Sequence, residues 1–392
     1  MAGAQTERIV GAAAHLFARK GFAAVSMTDI ADSVNLTAGN LYRYLTGKTA
    51  LLHEVFAAAL TVCEADRRPR GLDDLVAVSV DAAATDTAVV MTYLRERSLI
   101  DAEAYPDVAR RDRVFVEQWR AAVEDAAPGP APDIEARLYA TLGAIDAVAQ
   151  LAAGPGGAGG AGGAGVHGRR SIGAGLKAMI EAPPAPAAAP APDRSPTWRP
   201  PVTRRQQIID ASVTLFGERG YHSVRVSDVG KAVGIAGPSV YEHFRTKHDI
   251  LLATFDRCAG LLANASLTAL DGAEGPAEAM DRLVRALAAT GVANREAMTM
   301  ASREIHSLDE THFERVNQFV VDTDELWAAV LREVWPALPA RTSRSIARTA
   351  VQMTMHGARV PGGPGRAGEV AATTLAFLTA AATHAAAVEN DE

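Results

Sequence analysis

Two tyrosines, Tyr42 and Tyr241, and two lysines, Lys48 and Lys247, occupy matching places in this chain of 392 residues. Each tyrosine follows a short run of small and polar residues. Hydroxyl and ammonium groups contact the phosphates of nucleic acid, and small side chains allow close approach to base edges. The two segments therefore indicate a nucleic-acid-binding surface rather than a catalytic site.

The first tyrosine lies in a predicted pair of short helices. One helix is expected at 26–34, with Ser26 or Thr28 as its N-cap. Asn35 ends it, because asparagine tolerates the left-handed conformation that a tight turn needs. A second helix is expected over 38–45. Two short helices joined by a turn of about four residues form a helix-turn-helix, whose second helix enters the DNA major groove.

The second tyrosine lies in the same pattern. A helix is expected at 227–233, followed by Gly234 at the turn and a second helix over about 236–244. Small residues at Ala31 in the first unit and Gly230 in the second are expected to let the paired helices cross closely.

The pattern recurs because the whole chain is duplicated. Residues 9–56 align without a gap with 208–255, at an offset of 199. Arg95 and Arg303 begin a second match at an offset of 208, so the duplication covers entire domains and not only a motif.

The expected DNA contacts lie at the caps and at the start of the second helix of each unit. They are Thr28, Thr37, Ala38, Gly39, Asn40, Tyr42, Arg43 and Lys48 in the first unit, and Arg204, Arg205, Ser227, Gly237, Pro238, Ser239, Tyr241, Glu242, His243 and Lys247 in the second. The start of the second helix is expected at base edges, and the tyrosines and lysines at phosphates. Arg199, Arg204 and Arg205 either form an arm on the DNA or simply solvate the end of a linker.

The first motif runs Gly-Phe-x-x-Val-Ser-Met-x-x-Ile-Ala, then Leu41-Tyr42-Arg43-Tyr44, then Lys48. It resembles the TetR/AcrR family of bacterial transcriptional regulators, and the second motif, Ser239 to Phe244 with Lys247, matches more closely. The first copy departs from the family pattern at Leu45 and Gly47. Two fused copies resemble the tandem TetR regulators of actinobacteria, including those that control mammalian-cell-entry lipid-import operons.

The resemblance implies a double-stranded DNA operator and an unknown small apolar effector as partners. It also implies an all-α fold of two tandem TetR-like units, each with a three-helix DNA-binding part and a larger helical ligand-binding and dimerisation part. The expected domains are 1–47 (first helix-turn-helix), 48–181 (first regulatory domain, with a Gly-rich loop at 154–168), 182–202 (Pro/Ala-rich linker), 203–246 (second helix-turn-helix) and 247–392 (second regulatory domain).

The regulatory domains are expected to hold the effector. Candidate ligand-binding residues are Met91, Arg95, Phe115, Trp119, Met300, Arg303, Phe319, Trp327 and Met353. Apolar residues at helical spacing are more often core than pocket, and an adjacent Arg-Glu pair is more often a salt bridge, so both interpretations remain open.

Composition and charge exclude other classes. The net charge is −7, yet residues 1–56 carry +1 and residues 199–255 carry +3, so two less acidic modules sit in an acidic body. No uncharged apolar run of about 18 residues or signal peptide is found, so no membrane contact and a cytoplasmic location are expected. Two cysteines, Cys63 and Cys258, are too few for a disulfide framework and are expected to be buried.

No catalytic, metal-binding or cofactor-binding site is predicted. The glycine-rich run lacks the ending of a phosphate loop, and no histidine pair shares a helix face with a carboxylate.

The fusion suggests that one chain forms a pseudo-dimer. The last two helices of each copy, 133–152 with 169–181 and 341–357 with 369–386, are expected to pack as a four-helix bundle. Because the two recognition segments differ, the operator should be non-palindromic. A monomeric pseudo-dimer is favoured over a homodimer. The alternative is a helical sensor or scaffold that acts through protein partners and has one functional DNA-binding module.

Overall fold

The computed structural model describes residues 2–64, 71–126, 134–153, 166–183, 202–360 and 365–390. Within these residues there are eighteen α-helices and no strand, as the alanine-rich composition predicts. Most of the predicted Gly-rich loop at 154–168 and of the linker at 182–202 lies outside the described residues, and so does Arg199.

Each copy contributes nine of these helices, in the same order. In the first copy they are α1 (Ala2–Lys20), α2 (Met27–Ser33), α3 (Ala38–Leu41), α4 (Lys48–Glu64), α5 (Leu72–Thr85), α6 (Thr87–Glu96), α7 (Pro106–Ala126), α8 (Ile134–Ala153) and α9 (Val166–Glu181). In the second they are α10 (Arg204–Arg219), α11 (Val226–Ala232), α12 (Gly237–Val240), α13 (Lys247–Leu270), α14 (Pro276–Ala293), α15 (Arg295–Glu304), α16 (Glu310–Val334), α17 (Ala340–Ala358) and α18 (Arg366–Asn390).

The chain divides into two compact units that do not coincide with the two copies. Unit 1 comprises Met1–Pro184, Trp335–Met353 and Thr373–Glu392. Unit 2 comprises Ala185–Val334 and Thr354–Ala372. Each unit therefore contains one helix-turn-helix, and unit 1 also contains large parts of α17 and α18 from the second copy.

Within unit 1, the last helices of both copies pack together. A Cβ atom added to Gly175 of α9 would lie 2.7 Å from Cδ2 of Phe377 in α18, so glycine is needed for this close approach. Phe377 is fully buried. The hydroxyl oxygen of Ser171 lies 3.2 Å from Nδ1 of His384, along the same pair of helices. These contacts follow the grouping of terminal helices that the sequence predicts.

The other pair of terminal helices is joined by a polar contact. Arg348 of α17 donates a hydrogen bond of 3.3 Å to the side-chain oxygen of Gln150 in α8. Both residues belong to unit 1, so this unit takes helices from the ends of both copies into one body.

Among the described residues, two helices are long and apolar enough, by length and composition alone, to cross a membrane: 247–270 and 366–388. The bent pair Leu72–Thr85 and Thr87–Leu99 would count as a third if it were one span. Each of the two long helices also supplies core residues, since Leu251 and Phe377 are almost completely buried. Neither helix contains an uncharged apolar run of about 18 residues, because charged and polar residues interrupt both.

Candidate nucleic-acid interface

The first helix-turn-helix begins with a reciprocal cap. The hydroxyl of Ser26 accepts a hydrogen bond of 3.1 Å from the backbone N–H of Asp29, and the Asp29 carboxylate accepts one of 2.7 Å from the N–H of Ser26. The hydroxyl and the backbone N–H of Ser26 both donate to the Asp29 carboxylate, and these two hydrogen bonds lower the pKa of that carboxyl group. Ser26 is thus the N-cap of α2, and Thr28, the other residue considered for it, lies inside the helix.

The turn after α2 has the predicted geometry. Asn35 adopts a φ of 56°, the one positive φ among the non-glycine residues that the structure describes. The N–H of Leu36 then donates a 2.8 Å hydrogen bond to the carbonyl of Ala31, which closes the turn. In the second copy Gly234 has a φ of 72°. Both residues were expected at these turns because each tolerates the left-handed region.

The second helix of each unit is shorter than the sequence predicts. The prediction placed it at 38–45, whereas α3 ends at Leu41. Beyond it the N–H of Arg43 bonds to the carbonyl of Asn40, three residues back, so the chain continues in tighter turns. Thr37 caps α3 as expected, since its hydroxyl accepts a hydrogen bond from the N–H of Asn40.

The outer face of this helix is open to solvent while its inner face is buried. Leu41 is fully buried, yet the next residue, Tyr42, is 53% exposed. Tyr241 of the second copy is also 53% exposed. Thr37 and Asn40 are exposed as well. A large aromatic ring left half in water at the same place in both copies fits a surface that binds another molecule.

Close helix crossing in the second copy depends on two glycines. A Cβ atom on Gly230 would lie 2.9 Å from the carbonyl oxygen of Ile235. One on Gly237 would lie 3.1 Å from the Cα of Ser227. These distances confirm the expectation for Gly230, and they place Ser227 at the helix crossing. Pro238 follows in the first turn of α12, where its missing N–H costs no hydrogen bond.

The comparisons agree with this geometry. Residues 9–55 and 208–254 both match the family described as bacterial regulatory proteins, tetR family. The chain therefore contains two domains of this type in tandem.

Two curated relatives and one solved structure illustrate the likeness. The fatty acid metabolism regulator protein of Bacillus subtilis is 43% identical over 54 residues, which are 14% of this chain and 28% of that protein. The HTH-type transcriptional repressor KstR2 of Rhodococcus jostii is 28% identical over 133 residues, which are 33% of this chain and 63% of that protein. The matches thus span less than two thirds of these relatives. The ketosteroid transcriptional regulator KstR2 of Mycobacterium tuberculosis superposes with a TM-score of 0.41 and 21% identity, over 46% of this chain and 94% of that chain.

The half-buried lysine that follows α3 bonds back to the backbone of its own module. The ammonium of Lys48 donates hydrogen bonds of 2.8, 3.3 and 2.8 Å to the carbonyls of Phe22, Ala23 and Val25. Burial lowers the pKa of Lys48, although the charge of Glu96 acts in the opposite direction. The three carbonyls account for all three N–H groups of the ammonium, so a phosphate contact by Lys48 stays a prediction.

Lys247 lies over an aromatic ring as Lys48 does, but it makes fewer hydrogen bonds among the described residues. The ammonium of Lys247 lies 4.1 Å from the ring centre of Tyr221. In the first copy the ammonium of Lys48 lies 4.3 Å from the ring centre of Phe22. Among the described hydrogen bonds, no counterpart of the three carbonyl contacts is found for Lys247. Lys247 is therefore better able than Lys48 to turn towards a phosphate.

The two arginines in the first turn of α10 are folded back onto the second module. Arg204 donates a 2.9 Å hydrogen bond to the carbonyl of Val233. The guanidinium of Arg205 lies 3.9 Å from the ring centre of Phe244 and donates a 2.6 Å hydrogen bond to the carbonyl of His243. Both side chains remain exposed. An arm on DNA stays a prediction for them; in this structure they hold the start of α10 against the helix-turn-helix.

The Arg-Glu pairs, considered above as ligand groups, lie where the regulatory body meets each DNA-binding module. Arg95 donates to the carbonyl of Ala18, and Glu96 accepts a 3.1 Å hydrogen bond from the N–H of Phe22. In the second copy Arg303 donates to the carbonyl of Gly217. The sequence could not show this, because the partners lie more than 70 residues away in the chain.

The other ligand candidates lie in or beside the helical cores. Met91, Phe115, Trp119, Met300, Trp327 and Met353 are buried, and Phe319 is half-buried. The indole nitrogens of Trp119 and Trp327 are buried and have no hydrogen-bond partner among the described residues. An open groove of about 730 Å³ in unit 1, lined by residues that include Leu375, Thr379 and His384, contains none of the nine candidates.

One cluster with metal-ligating chemistry was not found from the sequence. His248, Asp309 and His312 bring their ligand atoms within 4.8 Å of one another. A pattern of two histidines and a carboxylate on one helix face does not reveal it, because His248 lies in α13 whereas Asp309 and His312 lie at the start of α16.

Proposed function

We propose that this chain is a DNA-binding transcriptional repressor that uses two different recognition helices to bind a non-palindromic operator. The observation that carries the proposal is the pair of exposed, tyrosine-bearing modules with unlike side chains at equivalent positions. Repression is proposed because a relative, the KstR2 protein of Rhodococcus jostii, is named a repressor. No catalytic residue is proposed, and the expected location is the cytoplasm.

The two recognition segments differ in the groups that would read bases. Asn40 corresponds to Ser239 at the offset of 199, and Arg43 corresponds to Glu242. Arginine pairs with guanine and asparagine with adenine in the major groove, whereas glutamate accepts a hydrogen bond from cytosine. A positive group thus stands in one module where the other has a negative one. The two half-sites should therefore differ in sequence.

One chain is proposed to bind both half-sites as a pseudo-dimer. Support comes from unit 1, in which α9 packs against α18 and α8 is bonded to α17. In this arrangement the terminal helices of the two copies replace those of two separate subunits. A homodimer would not be required, and the predicted domain boundaries stay a prediction.

The proposed effector is a small apolar molecule with at least one hydrogen-bond acceptor. The regulatory domains are rich in buried apolar side chains, and a relative is named a regulator of fatty acid metabolism. Trp119 and Trp327 are equivalent at the offset of 208, and each has a buried indole N–H without a partner among the described residues. Since an unpaired buried donor costs about 1–3 kcal/mol, an acceptor on the effector would recover that energy.

Effector binding is proposed to shift the population between a DNA-binding and a released conformation. The route would run through the hydrogen bonds of Arg95 and Arg303, because each joins a regulatory helix to the first helix of its DNA-binding module. A change of a few ångströms suffices, since two recognition helices must match sites about 34–36 Å apart. The link to lipid-import operons stays a prediction.

The test is a selection of binding sites from random double-stranded DNA with the purified full chain. The proposal expects two unlike half-sites and, by light scattering, a protein mass near 41.1 kDa in the complex. A perfect inverted repeat together with twice that mass would contradict it. Failure to enrich any sequence would support the alternative, a helical sensor that acts through protein partners.

A further inference from the structure

The second copy contains a cluster of two imidazoles and a carboxylate. His248 is the second residue of α13, Asp309 immediately precedes α16, and His312 lies in the first turn of α16. Nε2 of His248 lies 3.1 Å from Oδ2 of Asp309. Nδ1 of His312 lies 2.6 Å from Oδ1 and 2.8 Å from Oδ2 of the same carboxylate. The two imidazole rings meet edge to face, with 5.4 Å between their centres.

Helix capping explains the carboxylate but not the histidines. Oδ1 of Asp309 accepts a 3.0 Å hydrogen bond from the backbone N–H of His312. In the first copy Asp101 does the same, because its Oδ1 accepts a 2.9 Å hydrogen bond from the N–H of Ala104. The residue equivalent to His248 is Thr49. In the first copy this bond closes a turn at 102–104, before α7 begins at Pro106, and no histidine stands at either equivalent position.

We propose that His248, Asp309 and His312 bind one divalent transition-metal ion, with Zn²⁺ as the first choice. Imidazole nitrogen and carboxylate oxygen together suit Zn²⁺, and three protein ligands leave a fourth position for water. The ligand atoms would be Nε2 of His248, Nδ1 of His312 and one oxygen of Asp309. This site does not depend on the proposed function, since it needs neither DNA nor an effector.

The geometry requires only a small adjustment. Ligand atoms at about 2.0–2.1 Å from a tetrahedral Zn²⁺ lie about 3.3 Å from one another. The His248 nitrogen is already 3.1 Å from the carboxylate, and the His312 nitrogen at 2.6 Å must move away by less than 1 Å. The two nitrogens lie within 4.8 Å of each other and must approach by up to about 1.5 Å. Both histidines keep 29% of their side-chain surface exposed, and Asp309 keeps 52%, so an ion can enter and the side chains can rotate.

Binding would join two parts of unit 2. α13 begins at Lys247, and six residues separate it from the last helix of the helix-turn-helix, which ends at Val240. α16 belongs to the regulatory body. An ion held by His248 on one side and by Asp309 and His312 on the other would tie the start of α13 to the start of α16. We therefore expect the ion to raise the Tm of the full chain by several degrees, since anything that binds only the folded state stabilises it.

The test uses the full chain stripped of metal. Zn²⁺ is titrated by calorimetry in the presence of a weak competing chelator, and Co²⁺ is titrated by visible absorption. We expect one equivalent of each ion to bind, and Co²⁺ to develop the absorption bands of a low-coordinate ion. If the full chain without substitutions develops no such absorption bands when Co²⁺ is added, the proposal is wrong.

Three variants locate the ion. His312→Ala and His248→Ala should each weaken Zn²⁺ binding by at least about 100-fold, because losing even a partner of a ligand costs 10–100-fold. Both keep the Asp309 cap, so the helix start should persist, and circular dichroism checks it. The matched control is His15→Ala, an exposed histidine of α1. If His248→Ala and His312→Ala bind Zn²⁺ as tightly as His15→Ala does, the ion lies elsewhere and the proposal is wrong.

Discussion

Arg95 donates a hydrogen bond of 2.8 Å to the carbonyl oxygen of Ala18, in the last turns of α1. In the second copy Arg303 donates one of 3.1 Å to Gly217, the residue at the equivalent position of α10. Carbonyls near a helix C-terminus favour a positive charge, so the bond is well placed. In each copy, one arginine side chain thus links a regulatory helix to the first helix of the DNA-binding module.

The two arginine bonds should differ in strength. Arg95→Met should lower the free energy of unfolding by about 1.5–3 kcal/mol, the range for hydrogen bonds to charged groups. Arg303→Met should cost less, because 48% of the Arg303 side chain is exposed and the bond is longer. Urea denaturation measures both. Arg110→Met is the control, since its pair with Asp107 is exposed and should contribute under about 1 kcal/mol. Equal losses for Arg95→Met and Arg110→Met would show that the Ala18 bond has no structural importance.

The two lysines should respond differently to substitution. Lys48→Ala leaves three carbonyls without their donor and should lower the unfolding free energy by about 1–3 kcal/mol. Lys247→Ala should leave stability nearly unchanged and flatten the salt dependence of DNA binding by about one counterion. Denaturation and fluorescence anisotropy at several salt concentrations separate these effects. A flatter salt dependence with normal stability in Lys48→Ala would mean that Lys48 contacts phosphate after all.

The duplicated turns provide their own controls. Although the first copy has Ala31 at the equivalent position, Gly230→Ala should destabilise the second module by about 1–3 kcal/mol, because here the new Cβ would meet the Ile235 carbonyl at 2.9 Å. Gly234→Asn should cost under about 1 kcal/mol, since Asn35 already occupies the same turn in the first copy with a φ of 56°. Thermal unfolding followed by circular dichroism compares them. The reverse order of the two variants would contradict the helix crossing described here.

Cys258 should be chemically inert in the folded protein. Its thiol is buried and donates to the carbonyl of Ala297, and burial raises its pKa to about 12. At pH 8 the thiol is then almost entirely protonated, and the thiolate is the reactive form. In a Cys63→Ser background, a thiol reagent should label Cys258 only after denaturant is added. Rapid labelling of the native protein at pH 8 would show that this part of the core opens readily.

Local chemistry made part of this structure predictable. The cap at Ser26 and the turns at Asn35 and Gly234 depend on residues within a few positions of each other, so the sequence specifies them directly. The repeat was equally visible, because the offset of 199 preserves both tyrosines. The buried cysteines were also expected, and both are buried and free.

Other features depend on residues far apart in the chain. Lys48 contacts carbonyls about 25 residues earlier, and the loop that presents them could not be derived from periodicity. His248 meets Asp309 across 61 residues. Arg95 was considered as a ligand group because its partner at Ala18 is 77 residues away. Sequence patterns identified the reactive side chains in these cases, but the packing of helices decides what each one contacts.

The central claim is that both modules of one chain bind DNA and recognise different half-sites. Hydroxyl-radical footprinting on the selected operator tests it most directly, with the full chain, Tyr42→Ala and Tyr241→Ala compared. Each substitution should remove protection from one half-site, a different half in each case, and should weaken overall binding at least tenfold. Normal affinity in either variant, or identical loss over both halves in each, would contradict the claim.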